Sequence, residues 1–532
     1  MVLSLKQKTI NQQFDNLVDV GIIKSTFGLQ QIVGPDGKYT FELIDELPKT
    51  PQNSCFLGEI RPSVLIESTG QTIIFKLEFT SGTAWFWQGM GPAAQLQEYD
   101  MTGWVFSANV NLDLKELELK NNGAHQLLMP GNQPNQQLKI DVKALDQLNH
   151  FKEENYSINC LFTNFEDTTL WKFNPSLSSA GSSGDVGLEQ FKNFMDFYVR
   201  NLQTINNGNP YVLGYFPEAK KVKPNNDIPE ILQASGVTYS CFKAAQENDS
   251  TLNYLLVTKG GKKTVPPGKF DFDTNWITKP NVHAKMIYSP SNIMTSLILE
   301  PFYNQFATKV HTEVAKIIGN APVGNPYAQA VTPLENGFSY LISNWGHDHQ
   351  VYQNTYTVAF DEKEDGLYLR FAGLLKMVVY EDVDFLFLEG SVTDTITATW
   401  SKNIKLYVDK NDKGQDVLAV DTDEAAFINK ADDRDFDGPA GKLTEFFEKI
   451  LDAIDGFLDF LNLDFLTFLT DIFHNIFEVK LNHLSLDSIG NSMGSSTEAS
   501  IVLPAGDTFF IKSPGCYPYG AITTDLFYKS ES

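Results

Sequence analysis

Four stretches of the chain place reactive or metal-seeking side chains at suggestive spacings. Asp433-Arg434-Asp435-Phe436-Asp437-Gly438 sets carboxylates at alternate positions before a glycine, the arrangement with which a calcium loop gathers hard oxygen ligands and then turns. Asp433, Asp435 and Asp437 are therefore the candidate metal ligands, and calcium is the candidate ion; no other cofactor is expected. Position twelve, where an EF-hand needs a bidentate acid, is Thr444, with Glu445 one place late, so the run reads first as a solvated acidic loop. Gly490-Asn491-Ser492-Met493-Gly494 fits the nucleophile elbow of a hydrolase, but no His follows His483 and a strand-like run comes next, which favours a plain turn. His347-Asp348-His349 puts two imidazoles on one side of an extended segment without an evident third ligand. Trp85-Phe86-Trp87, beside Gly89 to Pro92, reads either as an aromatic tip that enters a bilayer or a partner, or as the packed end of a strand. No catalytic constellation emerges, and the chain is expected not to be an enzyme.

The totals narrow the classes further. At 532 residues the chain is too long for one ordinary core, so two large units are expected. A formal charge of −25, from 66 acids against 41 bases, opposes unaided binding to nucleic acid or anionic membrane. Met1 to Thr9 contains no apolar core of a signal peptide, and no segment reaches transmembrane length, so a soluble protein made without a conventional export signal is expected, with release by another route left open. Cys55, Cys160, Cys241 and Cys516 are far apart and read as buried thiols.

The elements that must position these residues follow a repeated order. Ile10, Phe14, Leu17 and Val18 recur at helical spacing, so a helix is predicted to start the chain. Strand-like runs follow, among them Tyr39 to Ile44, Ser63 to Ile66, Thr72 to Phe79, Trp104 to Leu114 and Tyr156 to Phe165, separated by Gly, Pro and Asn. A second amphipathic helix is marked by Leu188, Phe191, Phe194, Met195, Tyr198 and Val199, and strands at Tyr211 to Phe216, Val237 to Phe242 and Leu252 to Val257 close the first half. Gly260 to Gly268 (GGKKTVPPG) is the linker candidate, giving units 1–262 and 263–532. Beyond it the order recurs: a helix through Phe302, Phe306 and Val310, then strand runs that include Gly366 to Phe371, Lys376 to Tyr380, Phe385 to Glu389 and Val392 to Trp400, then an acidic insertion from Asp409 to Asp437.

The stretch Leu443 to Phe477 is the most apolar long segment, with Phe446, Phe447, Ile450, Phe457, Phe465 and Phe468 on its apolar side and acids on the other. As one helix of about 35 residues it would extend about 50 Å, with Gly456 and Asn462 as kink points. Asp452, Asp455, Asp459, Asp464 and Asp471 break every window a bilayer span would need, and eight acids against three lysines between Gly441 and Lys480 oppose an anionic surface. Two readings stand: a core helix of a large domain, or a helix wrapped by a curved sheet and lining an apolar groove.

Several stretches resemble the OrfX-type accessory proteins of clostridial neurotoxin gene clusters, of the tubular lipid-binding (TULIP) superfamily. These are Thr9 to Val20, Phe56 to Glu67 (FLGEIRPSVLIE), Thr102 to Leu114, Ser250 to Thr258, Ala284 to Phe302 and the Phe-rich segment with Ile501 to Pro504. The resemblance implies an α+β fold of two TULIP-like units, each a long helix wrapped by a highly curved antiparallel sheet. It implies a bacterial protein that binds lipid, phosphoinositide among the candidates, and acts with toxin or insecticidal-complex partners. The aromatic face Phe446, Phe447, Ile450, Phe457, Phe465 and Phe468 is then the expected lipid lining. The alternative is a structural subunit of a toxin or secretion assembly whose grooves are filled by its own side chains.

Overall fold

The computed structural model describes residues 1–89, 91–119, 126–128, 137–140, 144–145, 148, 156–165, 172–202, 208–220, 234–258, 275–289, 301–302, 304–306, 309–310, 312, 330–334, 337–347, 350–385, 388–410, 416–421, 427–437, 452, 455–473, 501–504, 509–517 and 521–528. Over these the fold is mostly antiparallel sheet with few helices. An eleven-stranded sheet runs in the order Val212–Ala219, Tyr156–Asn164, Trp104–Leu119, Thr72–Gln88, Cys55–Leu65, Thr26–Val33 and Tyr39–Leu43, with shorter strands alongside. A seven-stranded sheet is built from Ala330–Leu334, Gly337–His347, Gln350–Lys363, Gly366–Phe385, Leu388–Lys410 and Asp416–Asp421, with Phe427–Asp437 also paired to Leu388–Lys410.

A six-stranded sheet joins early and late parts of the chain, in the order Ala234–Phe242, Thr251–Thr258, Val2–Lys6, Ala284–Tyr288, Ala521–Tyr528 and Phe509–Tyr517. Its middle strand corrects the expectation that a helix opens the chain: Leu3 and Leu5 point to one face, while Val2, Ser4 and Lys6 point to the other. Directly opposed residues in antiparallel ladders share a face. Ser240, Asn253, Ser4, Lys285 and Asp525 therefore form one polar row across five strands, all of it buried. Lys285 Nζ lies 3.1 Å from an Asp525 carboxylate oxygen within this row.

The first helix, Gln7–Asp19, buries Ile10, Phe14 and Leu17 on one side. Its polar side caps a sheet edge. The strand Cys55–Leu65 pairs with Thr26–Val33 only through Glu59, and beyond that its edge groups are taken by the helix. The Val64 N–H donates to Asn11 Oδ1 at 2.8 Å, Asn11 Nδ2 donates back to the Val64 carbonyl at 3.2 Å, and the Ile66 N–H donates to Gln7 Oε1 at 2.7 Å. The second helix, Gly184–Arg200, buries Phe191, Phe194, Met195, Tyr198 and Val199.

Two further expectations are corrected. Gly366 to Phe371 and Lys376 to Tyr380 are parts of one 20-residue strand, Gly366–Phe385, because Gly373 is a close-approach position and not a break. The run Asp433 to Asp437 is not a solvated loop: it belongs to the strand Phe427–Asp437, which pairs along Leu388–Lys410, as Asp416–Asp421 does further along it. The Phe-rich segment is helical over 455–473, with a widened π turn at Phe460–Asp464, around the expected kink at Asn462. Among the described residues no helix is long and apolar enough to cross a membrane.

Candidate functional site

The expected lipid lining falls where the Phe-rich helix meets the seven-stranded sheet. Phe446, Phe447 and Ile450 lie outside the described residues. Phe457 and Phe465 are fully buried, whereas Phe468 is half-buried. Phe465 and Phe468 meet Phe306 at ring distances of 5.9 and 6.2 Å, and Phe465 lies 6.3 Å from Trp400. Phe302 joins the cluster through Tyr356 and Phe371, at 5.0 and 5.5 Å. The period of two along Gly366–Phe385 explains the facing wall: Leu367, Leu369, Phe371, Leu375 and Met377 are all buried on one side.

Gly373 completes that wall by having no side chain. It stands between Tyr356 and Trp400 in the strand register, and a Cβ there would come within 2.0 Å of the Trp400 ring. The indole occupies the space a side chain would take. Its Nε1 is buried without a hydrogen-bond partner, as is Oδ1 of Asn354, one inward position along the neighbouring strand from Tyr356. Both atoms belong to a largely aromatic and aliphatic interior, whose wall on Leu388–Lys410 also carries buried Asp394 and Lys402, and an unmet donor or acceptor there costs about 1–3 kcal/mol. A few polar atoms set among largely apolar walls are the usual make-up of a site that orients a mostly apolar guest.

The metal candidates are placed differently from expectation. Asp433 and Asp435 lie on the strand Phe427–Asp437, opposite Thr395 and Thr393, and both are exposed; Asp437 ends the same strand, opposite Ser391. Alternate residues of a strand stand roughly 7 Å apart in a line. The loop expected to wrap them around one point is therefore a straight ladder. Among the described residues no three His, Cys, Asp or Glu side chains gather for a metal. His347 ends the strand Gly337–His347, and Ser492 lies outside the described residues. In Trp85-Phe86-Trp87 the middle ring is buried and Trp87 is exposed, so the stretch is a strand with one solvent-facing indole. Cys55, Cys160 and Cys241 are buried, and desolvation pushes the Cys55 thiol up to about 11 and that of Cys241 to about 12.

One site escaped sequence reasoning. A cavity of about 420 Å³ lies between the second helix and the edge hairpin of the eleven-stranded sheet, lined by Tyr39, Phe41, Phe197, Asp196 and Arg200 among others. The one available signal was Asp196 itself, an acid between Met195 and Phe197 on a helix otherwise identified by its aromatic stripe.

No family profile and no curated protein matches the chain. Comparison of structures returns neighbours of the kind that the sequence resemblance names. The chain is similar to P47 from Clostridium botulinum A2, with 10% identity and a TM-score of 0.44 over 99% of this chain and 96% of that one. It is similar to P47 of Clostridium botulinum E1, with 10% identity and a TM-score of 0.42 over 99% and 98%. A lipopolysaccharide binding protein follows at 8% identity and a TM-score of 0.27, over 99% and 98%.

Proposed function

We propose that this chain is a non-enzymatic lipid-binding protein of TULIP type, two units each with a helix against a curved sheet, acting as an accessory component of a bacterial toxin or insecticidal complex. The observation that carries the proposal is the interior between helix 455–473 and the seven-stranded sheet. Its walls are largely aromatic and aliphatic, with buried Asp394 and Lys402 on the same strand face as Trp400, and its unmet polar atoms include Trp400 Nε1 and Asn354 Oδ1. An acyl chain entering beside the half-buried Phe468 gains about 25 cal/mol for each Å² of apolar surface covered, and an ester or hydroxyl group on it meets the two polar atoms. The acidic balance of the chain weighs against strongly anionic head groups, phosphoinositide included, as the main source of affinity.

Native mass spectrometry of freshly purified protein, followed by extraction and identification of bound material, tests this. A discrete lipid mass, reduced by Phe468→Trp, is the expected result. A bare chain that takes up no fluorescent acyl probe overturns it. That outcome would favour the second reading, a structural subunit filled by its own side chains, which draws on the full burial of Phe457 and Phe465.

A further inference from the structure

The cavity on the second helix has a chemistry of its own, separate from the Phe-rich interior. Its floor is aromatic: Phe41 lies 4.6 Å from Phe194 and 5.2 Å from Phe197, and Tyr39 rises beside them, 67% exposed, at the sheet edge. One wall is fixed. Gln190 donates to the Trp87 carbonyl at 2.5 Å, and its Oε1 accepts from the Trp87 N–H at 3.2 Å and the Ser54 hydroxyl at 2.6 Å, which ties the helix to the strand Thr72–Gln88 and to the residue just before Cys55–Leu65.

Further along the same helix the lining carries two charges. Asp196 Oδ1 is buried without a hydrogen-bond partner. Burial holds the Asp196 carboxyl above its ordinary range, although Arg200 and Lys192 pull it down, with Glu189 pushing up. Neither cation is within ion-pair distance: Lys192 lies over the Phe173 ring and 4.0 Å from Glu189, and Arg200 is exposed at the cavity wall. Asp196 and Arg200 are four residues apart on one helix, about 6 Å along its axis and on adjoining turns.

We propose that this cavity is a binding site for a zwitterion that joins a primary ammonium to an anionic group, of the phosphoethanolamine class. The ammonium donates to the unmet oxygen of Asp196 and lies against the Tyr39, Phe41 and Phe197 rings, while the phosphate meets the Arg200 guanidinium. A quaternary ammonium fits less well, because it has no N–H to give Asp196. A simple cation is opposed by Arg200, and a simple anion by Asp196. An overall neutral guest also suits a chain of charge −25, which would repel an anionic one.

The test is titration calorimetry with free phosphoethanolamine, phosphocholine and ethanolamine, alongside sedimentation with vesicles of phosphatidylethanolamine or of phosphatidylglycerol. Saturable binding of phosphoethanolamine, at least about tenfold tighter than phosphocholine, is expected. Asp196→Asn should lose it by a similar factor, and Arg200→Gln should weaken phosphoethanolamine but not ethanolamine. Binding to phosphatidylethanolamine vesicles, lost in the same variants, identifies a lipid head group as the source; binding of the free compound alone identifies a soluble one. Equal affinity for phosphocholine, unchanged binding by Asp196→Asn, or no saturable binding of the free compound or the vesicles overturns the proposal. Tyr39→Ala, at an exposed position that folding does not need, should lower affinity as well and guards against a fold defect in the helix variants. Acyl-probe uptake, measured on the same variants, should not change, which separates this site from the Phe-rich interior.

Discussion

The two aromatic interiors are built by one recipe and finished differently. Around the second helix, Phe191 and Phe194 interlock with Phe56, Phe79, Phe86 and Trp104 at ring distances between 5.3 and 6.0 Å, mostly edge to face. The buried hydroxyls of Tyr198 and Tyr211 answer each other at 3.0 Å. Around helix 455–473 the rings are equally close, yet Trp400 Nε1 and Asn354 Oδ1 stay unmet. The first interior meets its central hydroxyls internally and leaves an unmet oxygen only at its rim, on Asp196, whereas the second leaves unmet polar atoms at its centre, where the proposed acyl guest would lie. Dense aromatic packing alone therefore does not distinguish a core from a binding chamber; the state of the polar atoms within it does.

The largest effect should come from the first interior. Phe191→Ala removes a ring that touches Phe56, Phe79, Trp104 and Phe106, and should lower unfolding free energy by about 3–5 kcal/mol in urea titration, lipid present or not. A loss below about 1 kcal/mol would mean that this interior is loosely packed and the contrast is false. Gly373→Ala drives a methyl into the Trp400 ring and should cost about 1–3 kcal/mol while lowering acyl-probe uptake. Next come the polar atoms themselves. Tyr211→Phe removes the hydroxyl that Tyr198 meets at 3.0 Å and should cost about 1–2 kcal/mol, whereas Asn354→Leu should leave the lipid-free protein as stable or more so and weaken lipid uptake. The two substitutions having the same sign would remove the distinction.

A pH titration sharpens the comparison at the rim of the first interior. The folded-state pKa of Asp196 is raised, so the folded protein holds this proton more tightly than the unfolded chain. Stability should therefore fall as pH rises from the ordinary carboxylate range through the raised value, and Asp196→Asn should flatten that part of the curve. Smallest of all, Asp433→Asn and Asp435→Asn should shift stability by no more than about 0.5 kcal/mol, with or without calcium, because both carboxylates stand in solvent on a strand face.

Much of the architecture was legible because period and punctuation carry it. The apolar spacing in Gln7–Asp19 and Gly184–Arg200 located two helices, and β-branched runs located most long strands. Gly373 misled because a glycine that makes room for a neighbouring ring looks, in one dimension, like one that ends a strand. The acids of Phe427–Asp437 misled because charge reports exposure, and an exposed strand face is as solvated as a loop. Val2–Lys6 was missed for the opposite reason: both of its faces are covered, so Ser4 and Lys6 are buried beside Leu3 and Leu5 and no solvent-facing alternation marks the strand. Of the expected site, Phe465 and Phe468 were placed together on Phe306, but Trp400 and Asn354 came from strands whose inward register only the paired sheet defines.

The six-stranded sheet also sets a timetable for synthesis. Val2–Lys6 leaves the ribosome roughly 250 residues before Thr251–Thr258 and roughly 280 before Ala284–Tyr288 are complete, and Ala521–Tyr528 arrives much later still. Throughout that interval Leu3 and Leu5 are made but have no ladder to join. High contact order of this kind slows closure and lengthens the exposure of apolar chain, so the yield of native protein should depend on chaperones that occupy the nascent segment until its partners emerge.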